Sequence, residues 1–431
     1  MKTVRMTYGT DGMDLRVPAG ATVLTGEHPP AVPNVDDAIR AALADPVAAP
    51  PLADLLAASG PRTVAITISD ITRPVPNPVF LPVLLETINR AGIPDENIVI
   101  IVGTGMHRPS TPDEHRRLVG QAALDRVEVI DHRADDPATL AAVSDDPPVR
   151  VCRRFVEADF RIVTGFIEPH FMAGFSGGRK GVCPALVDLQ TVQRFHGYAT
   201  LADPAAGEGN LTGNPCHAIA LDVARTVGVD FLFNVAVTAE GRVAGIYCGD
   251  LEAAHAVGCE AVARWTSVRA GGAFGLVITT GGGAPLDATF YQTVKGMVTA
   301  LPALAEGSTL LQVSGCDDGV GSTAYRDLML RYANDWRRFL ADIAADGQRT
   351  ALDQWQYQMQ GRVLERIGLA NLWFASDGIA PTIQQHLSVT PLDGDGPAVA
   401  RAQRAIDAYV AARPNARVAV IPEGPYTMLY T

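Results

Sequence analysis

Short, almost uninterrupted apolar segments alternate along this chain with longer segments of helical spacing, and this alternation constrains the fold most strongly. TVAITIS (63–69), NIVIIVGTG (97–105) and DFRIVTGFI (159–167) are the apolar segments, and PVFLPVLLETINRAG (78–92) has the helical pattern. Strands that are apolar on both faces are typical of parallel sheets that helices cover on both sides. The sequence therefore predicts an α/β fold.

A second series of the same kind begins near residue 271. AFGLVITTGGGAPLD (273–287) and STLLQVSGC (308–316) have the pattern of buried strands, with a helical segment between them. At about 100–200 residues per domain, a chain of 431 residues is long enough for two or three domains. We expect two, residues 1–270 and 271–431, each with a mostly parallel sheet flanked by helices, and an active site in the cleft between them.

The composition narrows the class of protein. The net charge of −12 argues against nucleic acid or an anionic membrane surface as a partner. No apolar run approaches the roughly 18 residues of a membrane span, and the amino terminus lacks the apolar core of a signal peptide. The six cysteines are scattered and form no CxxC pair, which is typical of reduced thiols. We therefore expect a cytoplasmic protein.

Polar residues follow the first two apolar strands. SDITRP places Asp70, Thr72 and Arg73 after one strand, and GTGMHRP places His107 after the next. Hydroxyl and main-chain N–H groups at such a junction suit a phosphate, an arginine suits a carboxylate, and a histidine can exchange a proton at neutral pH. The alternative is a helix-capping turn with a surface arginine and a structural histidine. Sites form at the carboxyl ends of parallel strands, which favours the functional interpretation.

The segment EPHFMAGFSGGRKG follows the third strand. It contains His170 as a second candidate base, and Ser176, Gly177 and Gly178 make a flexible loop that is rich in hydrogen-bond donors. Lys180, near the end of the loop, could be a counter-charge for a phosphate, a Schiff-base nucleophile or a covalent anchor. The loop is not a Walker phosphate loop, because neither Ser nor Thr follows the lysine. A helix cap with an exposed lysine is the alternative.

Two further segments carry candidate ligands. TVQRFHG contains His196, which could complete a metal site only with ligands from a cofactor, because the chain has no HxH, HExxH or CxxC pattern. FYQTVKG contains Tyr291, Gln292 and Lys295. The last two lie on one face of a helix and could bind a substrate carboxylate. A solvated helix face is the alternative.

Together these segments resemble the nickel-dependent lactate racemase family. The resemblance rests on SDITRPVPN, GTGMHRPST, EPHFMAGFSGGRKG, VQRFHG, GNLTGNP, FNVAVT and PLDATFYQTVKG, which occur in the order of the family and span most of residues 60–320. Each motif is weak alone, and their common order makes the resemblance specific. The carboxyl-terminal part, with Trp355 and PEGPYT, is similar but less specific.

The resemblance implies a cofactor, the nickel-pincer nucleotide (pyridinium-3,5-bisthiocarboxylic acid mononucleotide nickel). By position in the motifs, Lys180 would carry it covalently through a thioamide, and His196 would complete the coordination of nickel. Many relatives have an asparagine before this histidine, where the present chain has Phe195. The neighbours of the nucleotide phosphate and ribose would be Asp70, Thr72, Ser176, Gly177 and Gly178.

The resemblance also implies a reaction, the racemisation or epimerisation of lactate or a related 2-hydroxy acid by hydride transfer through a 2-oxo acid. His107 and His170 would be the acid/base residues on opposite sides of the substrate, and Arg73 would orient its oxygen. Arg108 and Arg179 leave a dicarboxylate or a sugar acid open as substrate. The substrate-binding residues would be Tyr291, Gln292, Lys295 and Trp355.

Two other functions stay open at this point. A non-catalytic binder or carrier of a phosphorylated nucleotide would need the glycine-rich loop but not both histidines. An oxidoreductase with an ordinary nicotinamide cofactor is disfavoured, because the chain has no GxGxxG motif with a downstream acid. As partners we expect a small 2-hydroxy acid and the cofactor-maturation enzymes, and homo-oligomer formation is left open.

Overall fold

The computed structural model describes residues 1–347 and 350–431, and the chain folds into two compact units. The first unit consists of His28–His196 and Ala205–Trp265. The second consists of Met1–Glu27, Gly197–Pro204 and Thr266–Thr431. One limit of these units is therefore close to residue 270, where the sequence suggested a domain boundary. The grouping of the first 27 residues with the second unit was not indicated by the sequence.

The strands are numbered in chain order. They are β1 (Lys2–Met6), β2 (Met13–Val17), β3 (Thr22–Val23), β4 (Val64–Ser69), β5 (Ile98–Gly103), β6 (Glu128–Asp131), β7 (Leu140–Asp145), β8 (Pro148–Cys152), β9 (Phe160–Phe166), β10 (Pro169–His170), β11 (Gly174–Phe175), β12 (Phe231–Val237), β13 (Val243–Gly249), β14 (Ser267–Arg269), β15 (Leu276–Thr280), β16 (Thr309–Val313), β17 (Leu372–Ala375), β18 (Thr390–Pro391), β19 (Val418–Ile421) and β20 (Met428–Tyr430).

The α-helices are numbered in the same way. They are α1 (Val35–Ala44), α2 (Leu52–Ser59), α3 (Asn77–Arg90), α4 (Pro112–Val119), α5 (Gln121–Leu124), α6 (Arg153–Val156), α7 (Leu189–Phe195), α8 (Tyr198–Ala202), α9 (Pro215–Val227), α10 (Leu251–Thr266), α11 (Phe290–Thr299), α12 (Thr323–Tyr332), α13 (Trp336–Ala345), α14 (Gln354–Ile367), α15 (Pro381–Gln384) and α16 (Ala398–Ala412). Gly178–Gly181 forms a short 3₁₀ helix.

The first unit is built on a sheet with the strand order β13-β12-β9-β4-β5-β6. All its neighbouring pairs are parallel except β12 and β13. Its apolar strand residues are buried, and the Phe80 ring of α3 packs on the Phe233 ring of β12 with 4.9 Å between centroids. In the register of β4 and β5, Ser69 lies opposite Gly103, so the residues that follow both strands emerge at the same edge. The fold class that the sequence predicts is confirmed for this unit.

The second unit contains a parallel sheet with the order β18-β17-β16-β15-β19-β3. Strand β3 pairs with β19, so that Thr22 lies opposite Ala419, and the Thr7 main-chain N–H donates to the carbonyl of Pro422 at 2.9 Å. These pairings place the amino-terminal residues with the carboxyl-terminal sheet. The core includes residues from both ends of the chain: Leu15, Val17, Leu276, Ile278, Leu311 and Val420.

All six cysteines are free, as the sequence predicts, and all are buried. Among the helices of residues 1–347 and 350–431, none is long and apolar enough to cross a membrane.

Candidate active site

The loops after β4 and β5 bring Asp70 and His107 together. Nδ1 of His107 lies 2.5 Å from Oδ2 of Asp70. The other carboxylate oxygen, Oδ1, accepts hydrogen bonds from the hydroxyl of Thr72 at 2.6 Å and from its main-chain N–H at 3.3 Å. The Asp70 side chain is 9% exposed and the His107 side chain 55%. A buried carboxylate therefore holds one nitrogen of an imidazole that is itself open to solvent.

Two opposing influences act on the Asp70 carboxyl. Burial by itself raises the pKa of Asp70, but the hydrogen bond and charge of His107, the charge of Arg73 and the hydroxyl of Thr72 outweigh it. The pKa of Asp70 consequently lies below its usual range, and the group is ionised at neutral pH. The Arg73 guanidinium stays close to the turn, with Nη1 at 3.3 Å from the carbonyl of Thr72.

The loop that carries His107 is anchored on both sides. The Thr104 hydroxyl donates to the carbonyl of His132 at 2.7 Å, and the Gly105 N–H donates to the carbonyl of Ala185 at 3.0 Å. After His107 in the chain, Arg108 forms two hydrogen bonds of 2.7 Å to the Glu114 carboxylate. Glu114 also belongs to the capping box at the start of α4, so Arg108 binds to the amino-terminal end of that helix.

His170 lies on the short hairpin of β10 and β11, which follows β9. Its Nδ1 accepts from the main-chain N–H of Met172 at 3.3 Å and of Ala173 at 3.2 Å. In the antiparallel pairing of β10 and β11, His170 lies opposite Gly174, which has a φ of 78°. A Cβ atom at Gly174 would lie 2.4 Å from the carbonyl oxygen of Asn210, so only glycine allows this approach.

The loop of residues 176–178, which was predicted to contact the cofactor, is held in place by hydrogen bonds to other residues of the chain. The Ser176 hydroxyl donates to the carbonyl of Phe166 and accepts from the N–H of Glu168, both at 2.9 Å. The Gly178 N–H donates to Oδ1 of Asn234 at 2.7 Å. Gly177 and Gly178 both have positive φ values. These contacts fix the path of the loop towards Lys180, and the cofactor roles of Ser176, Gly177 and Gly178 stay predictions.

Arg179 is buried beneath this loop, with 1% of its surface exposed. Its guanidinium donates to the carbonyls of Ala173 at 2.6 Å and Phe175 at 3.0 Å, and it lies 3.2 Å from Nε2 of His255. Burial lowers the pKa of Arg179 to about 10. The sequence-based suggestion that this arginine could bind an extra polar group of a substrate is therefore wrong, because the guanidinium is buried and its Nη1 and Nη2 atoms donate to main-chain carbonyls inside the protein.

Lys180 and His196 both lie close to the ring of Phe195. Nζ of Lys180 is 5.9 Å from the centroid of the Phe195 ring, and the His196 ring is 4.7 Å from it in an edge-on arrangement. Nδ1 of His196 lies 3.0 Å from the carbonyl oxygen of Val192. A carbonyl only accepts, so Nδ1 carries the proton and Nε2 presents its lone pair.

The protonation state of His196 follows from its surroundings. Burial is the largest influence, and together with the positive charges of Lys180 and His107 it lowers the pKa of His196 to about 3, against the opposing hydrogen bond to Val192. The ring is therefore neutral near pH 7, which is the form that binds metals.

Within the second unit, the predicted substrate residues lie on α11 and α14. The indole N–H of Trp355 donates to the phenol oxygen of Tyr291 at 2.8 Å. The N–H of Gln292 donates to the Thr289 hydroxyl, which caps α11, at 3.3 Å. Oε1 of Gln292 is buried, and no hydrogen-bond partner for it occurs in the described part of the chain. Lys295 follows on the same helix.

No protein-only metal centre is found within residues 1–347 and 350–431, because no group of three or more His, Cys, Asp or Glu side chains could hold an ion there.

The chain is similar in sequence to known proteins. Residues 8–209 match the family model "Lactate racemase N-terminal domain" and residues 272–428 match "Lactate racemase C-terminal domain". The lactate racemase of Lactiplantibacillus plantarum is 34% identical over 392 residues, which are 90% of this chain and 89% of that protein. The chain belongs to the lactate racemase family. Its members are isomerases, and the enzyme class that the sequence predicts is confirmed.

A second relative and two solved structures are also similar to this chain. The lactate racemase of Thermoanaerobacterium thermosaccharolyticum is 32% identical over 333 residues, or 76% of this chain and 77% of that protein. The apoprotein structure of a lactate racemase from this organism superimposes with a TM-score of 0.88 at 27% identity, and all of both chains is covered. A Thermotoga maritima protein with a TM-score of 0.66 and 16% identity covers 94% of this chain and all of that one, and it shares the fold alone.

Three residues that support the loop of residues 170–180 were not recognised from the sequence. Asn234, from the FNVAVT motif, holds the N–H of Gly178, and Asn214, from GNLTGNP, donates to the carbonyl of Met172 at 2.9 Å. His255 donates to the carbonyl of Ser176 at 2.9 Å. The role of Asn234 could have been predicted, because a lone asparagine in an otherwise apolar strand must find a buried hydrogen-bond partner. Nothing in the sequence around His255, on helix α10, indicates its role.

Proposed function

We propose that this member of the family racemises or epimerises a small 2-hydroxy acid, lactate or a related one. The observation that carries the proposal is the placement of two histidines, His107 and His170, after β5 and β9 of one parallel sheet, in the same unit as Lys180 and His196. Two acid/base groups suit this reaction, because the two enantiomers present their hydroxyl groups differently.

The residues present fit a nickel-pincer nucleotide. Neutral His196 offers an Nε2 lone pair and donates its other N–H to Val192, as metal-binding histidines commonly do to a carbonyl. A single protein ligand is enough if the cofactor grips the metal itself. Lys180 would hold the nucleotide covalently, and Asp70, Thr72 and the loop of Ser176–Gly178 were predicted as its neighbours. When bound, such a cofactor supplies a reversible hydride acceptor.

The residues of this chain would handle the proton and the orientation of the substrate. The α-hydrogen beside a carboxylate is barely acidic, so its loss as hydride avoids a carbanion. One histidine would take the hydroxyl proton of one enantiomer, and the other histidine would serve the mirror-image substrate. Arg73 would hold the substrate oxygen in place.

Binding of the carboxylate is assigned to residues of α11. Lys295 supplies a positive charge, and Gln292 can donate through its amide N–H₂. The phenol oxygen of Tyr291 accepts the indole N–H of Trp355. A phenol O–H is a donor that suits a carboxylate.

The test uses protein that is produced together with the cofactor-maturation enzymes in the cytoplasm of a host cell. Single enantiomers of several 2-hydroxy acids are supplied, and chiral chromatography follows the appearance of the opposite enantiomer. We expect racemisation of at least one acid, stoichiometric nickel and a mass increase on Lys180. Protein that carries nickel and adduct but only binds these acids would be a carrier, and the proposal would fail.

A further inference from the structure

Arg108 directly follows His107 in the chain, and a carboxylate of the protein itself takes up its charge. Nη2 of Arg108 lies 2.7 Å from Oε1 of Glu114, and Nη1 lies 2.7 Å from Oε2. Two parallel hydrogen bonds of this kind are the strong, bidentate arrangement that a guanidinium forms with a carboxylate. The two donors with which Arg108 could hold the carboxylate of a ligand are therefore occupied by Glu114.

Glu114 is fixed in this position from a second side. Its Oε2 also accepts the main-chain N–H of Thr111 at 2.7 Å, and the Thr111 hydroxyl accepts the N–H of Glu114 at 3.3 Å, which completes the capping box of α4. The hydrogen bonds from Arg108 and Thr111 lower the pKa of Glu114 to about 2. The carboxylate is consequently ionised at neutral pH, and it holds the arginine with a full negative charge.

The Arg108 guanidinium lies near the proposed acid/base residue. The loop of His107 follows β5, which lies between β4 and β6 in the sheet. Glu114 is the largest influence that raises the pKa of Arg108. The charges of Asp70, after β4, and Asp131, at the end of β6, add to it, so the guanidinium is close to both. Because the Arg108 side chain is 65% exposed, a small molecule beside His107 could reach it if Glu114 did not hold it.

A substrate with a second carboxylate would need such a cation. Removing a carboxylate from water is costly unless a positive group and hydrogen bonds compensate for the lost hydration. Of the two arginines that the sequence left open for this purpose, Arg179 is buried and donates to main-chain carbonyls. Arg108 is accessible, but a ligand could bind its two donors only in competition with Glu114. The ionised Asp70 and Glu114 would also repel a further negative charge.

We infer that Glu114 determines substrate specificity by keeping Arg108 from binding a second carboxylate, so that the substrate of this chain is a 2-hydroxy acid with a single carboxylate. The inference rests on the proposed function and names its substrate class. Glu114 acts through Arg108 and is therefore a positioning residue. The substituent on C2 is an alkyl group in lactate and ends in a carboxylate in malate, so these two acids differ in the group that the inference concerns.

Glu114→Gln tests this role. Glutamine keeps an oxygen that can accept the N–H of Thr111, but it lacks the charge that holds Arg108. Protein that carries nickel and the Lys180 adduct is given single enantiomers of lactate or malate, and kcat and KM are measured for each acid. We expect the ratio of kcat/KM for malate to kcat/KM for lactate to rise by at least about 10-fold over the parent enzyme, mainly through a lower KM for malate.

The double variant Arg108→Met/Glu114→Gln separates specificity from helix capping. If Arg108 binds the second carboxylate in Glu114→Gln, its removal should return the ratio to within about twofold of the parent value. Damage to the capping box alone would change the kinetics of both acids alike and would leave the ratio as it is in the parent. An unchanged ratio in Glu114→Gln, or a raised ratio that persists in the double variant, would overturn the inference.

A second bidentate pair provides the matched control. Nε and Nη2 of Arg225, on α9, each lie 2.8 Å from the carboxylate of Glu252, on α10, and both side chains are exposed. Glu252→Gln changes the net charge by the same amount and also leaves an arginine without its carboxylate partner. We expect its ratio to stay within about twofold of the parent value. A rise equal to that of Glu114→Gln would show that net charge sets the ratio, and would overturn the inference.

The inference and the proposed function can fail separately. A parent enzyme that racemises malate as efficiently as lactate would overturn the inference and leave the proposed function in place. If fully loaded parent enzyme racemises no 2-hydroxy acid, the proposed function fails, and calorimetric titration with malate decides about Glu114 without turnover. We expect the Kd for malate to be at least about 10-fold lower in Glu114→Gln than in the parent protein, and equal values would overturn the inference.

Discussion

Nη2 of Arg179 lies 2.6 Å from the carbonyl oxygen of Ala173, so a buried guanidinium closes the loop between His170 and Lys180. A second bond of 3.0 Å reaches the carbonyl of Phe175. An apolar side chain cannot form these two bonds, so on substitution the carbonyl of Phe175 would lose the arginine as donor and that of Ala173 would keep only the main-chain N–H of Phe175. The geometry of both proposed functional residues thus depends on an arginine that lies beneath them.

Arg179→Met should destabilise the protein. Hydrogen bonds to a charged group contribute about 1.5–3 kcal/mol each, so we expect the loss of two to lower the free energy of unfolding by about 2–5 kcal/mol in urea titrations. Arg108→Met is the control, because the pair of Arg108 with Glu114 is exposed to solvent and should contribute much less to stability. Equal losses in the two variants would show that the contacts of Arg179 do not support the loop.

Gly178→Ala should be far more disruptive than Gly213→Ala. Both glycines have positive φ values, 55° and 67°, so both substitutions strain the backbone. At Gly178 the added Cβ would also lie 2.6 Å from the ring of His255, whereas at Gly213 it would meet no described atom within 4 Å. We expect a loss of about 1 kcal/mol for Gly213→Ala and at least about 2 kcal/mol more for Gly178→Ala, measured by urea unfolding. Similar losses would contradict the close packing of Gly178.

Trp355→Phe should weaken substrate binding if Tyr291 binds the carboxylate. The change keeps an aromatic ring but removes the N–H that fixes the phenol oxygen at 2.8 Å. We expect KM to rise by about 3- to 10-fold with a smaller change in kcat. Trp373→Phe is the matched control, because it removes an indole hydrogen bond of 3.1 Å to the carbonyl of Ala370. An unchanged KM in Trp355→Phe would remove Tyr291 from the proposed binding site.

His132 should make stability depend on pH. Burial lowers the pKa of His132 to about 4, although its hydrogen bond to the carbonyl of Val187 opposes the shift. Below about pH 6.5 the unfolded chain binds a proton that the folded protein does not, so stability falls as the pH is lowered from about 6.5 to 4 and is constant above that range. The slope is at most about 1.4 kcal/mol per pH unit for this group.

His132→Gln should remove this contribution. The amide keeps a donor for Val187 but does not titrate. Urea unfolding between about pH 4.5 and pH 7 should therefore show a shallower loss of stability in the variant than in the parent protein. Parallel pH profiles would contradict the neutral, buried state of His132.

The central strands of the first unit could be predicted from the sequence, and the pairing of their side chains could not. β4, β5 and β9 are apolar on both faces, which identifies a covered parallel sheet and places the following loops at one edge. That Asp70 holds His107 depends on side-chain directions within two loops, which motif spacing does not encode. For the same reason Arg179 could not be recognised as buried.

Long-range pairing limited the prediction in the second unit. Strand β3 contains only Thr22 and Val23, and both are exposed, so the local sequence has no apolar pattern to reveal it. Its partner residues Ala419 and Val420 are at the other end of the chain. Periodicity identifies the elements of a fold, but it does not identify partners at such a separation.

Racemisation by cofactor-loaded protein tests the central claim most directly. A single enantiomer of lactate or of another 2-hydroxy acid is incubated with protein that carries nickel and the Lys180 adduct, and the enantiomer ratio is followed by chiral chromatography. We expect progress to an equal mixture in the parent enzyme, and loss of this activity with retained nickel in His107→Ala and His170→Ala. An unchanged enantiomer ratio across the acids with loaded parent protein, or full activity in the variant that lacks both histidines, would contradict it.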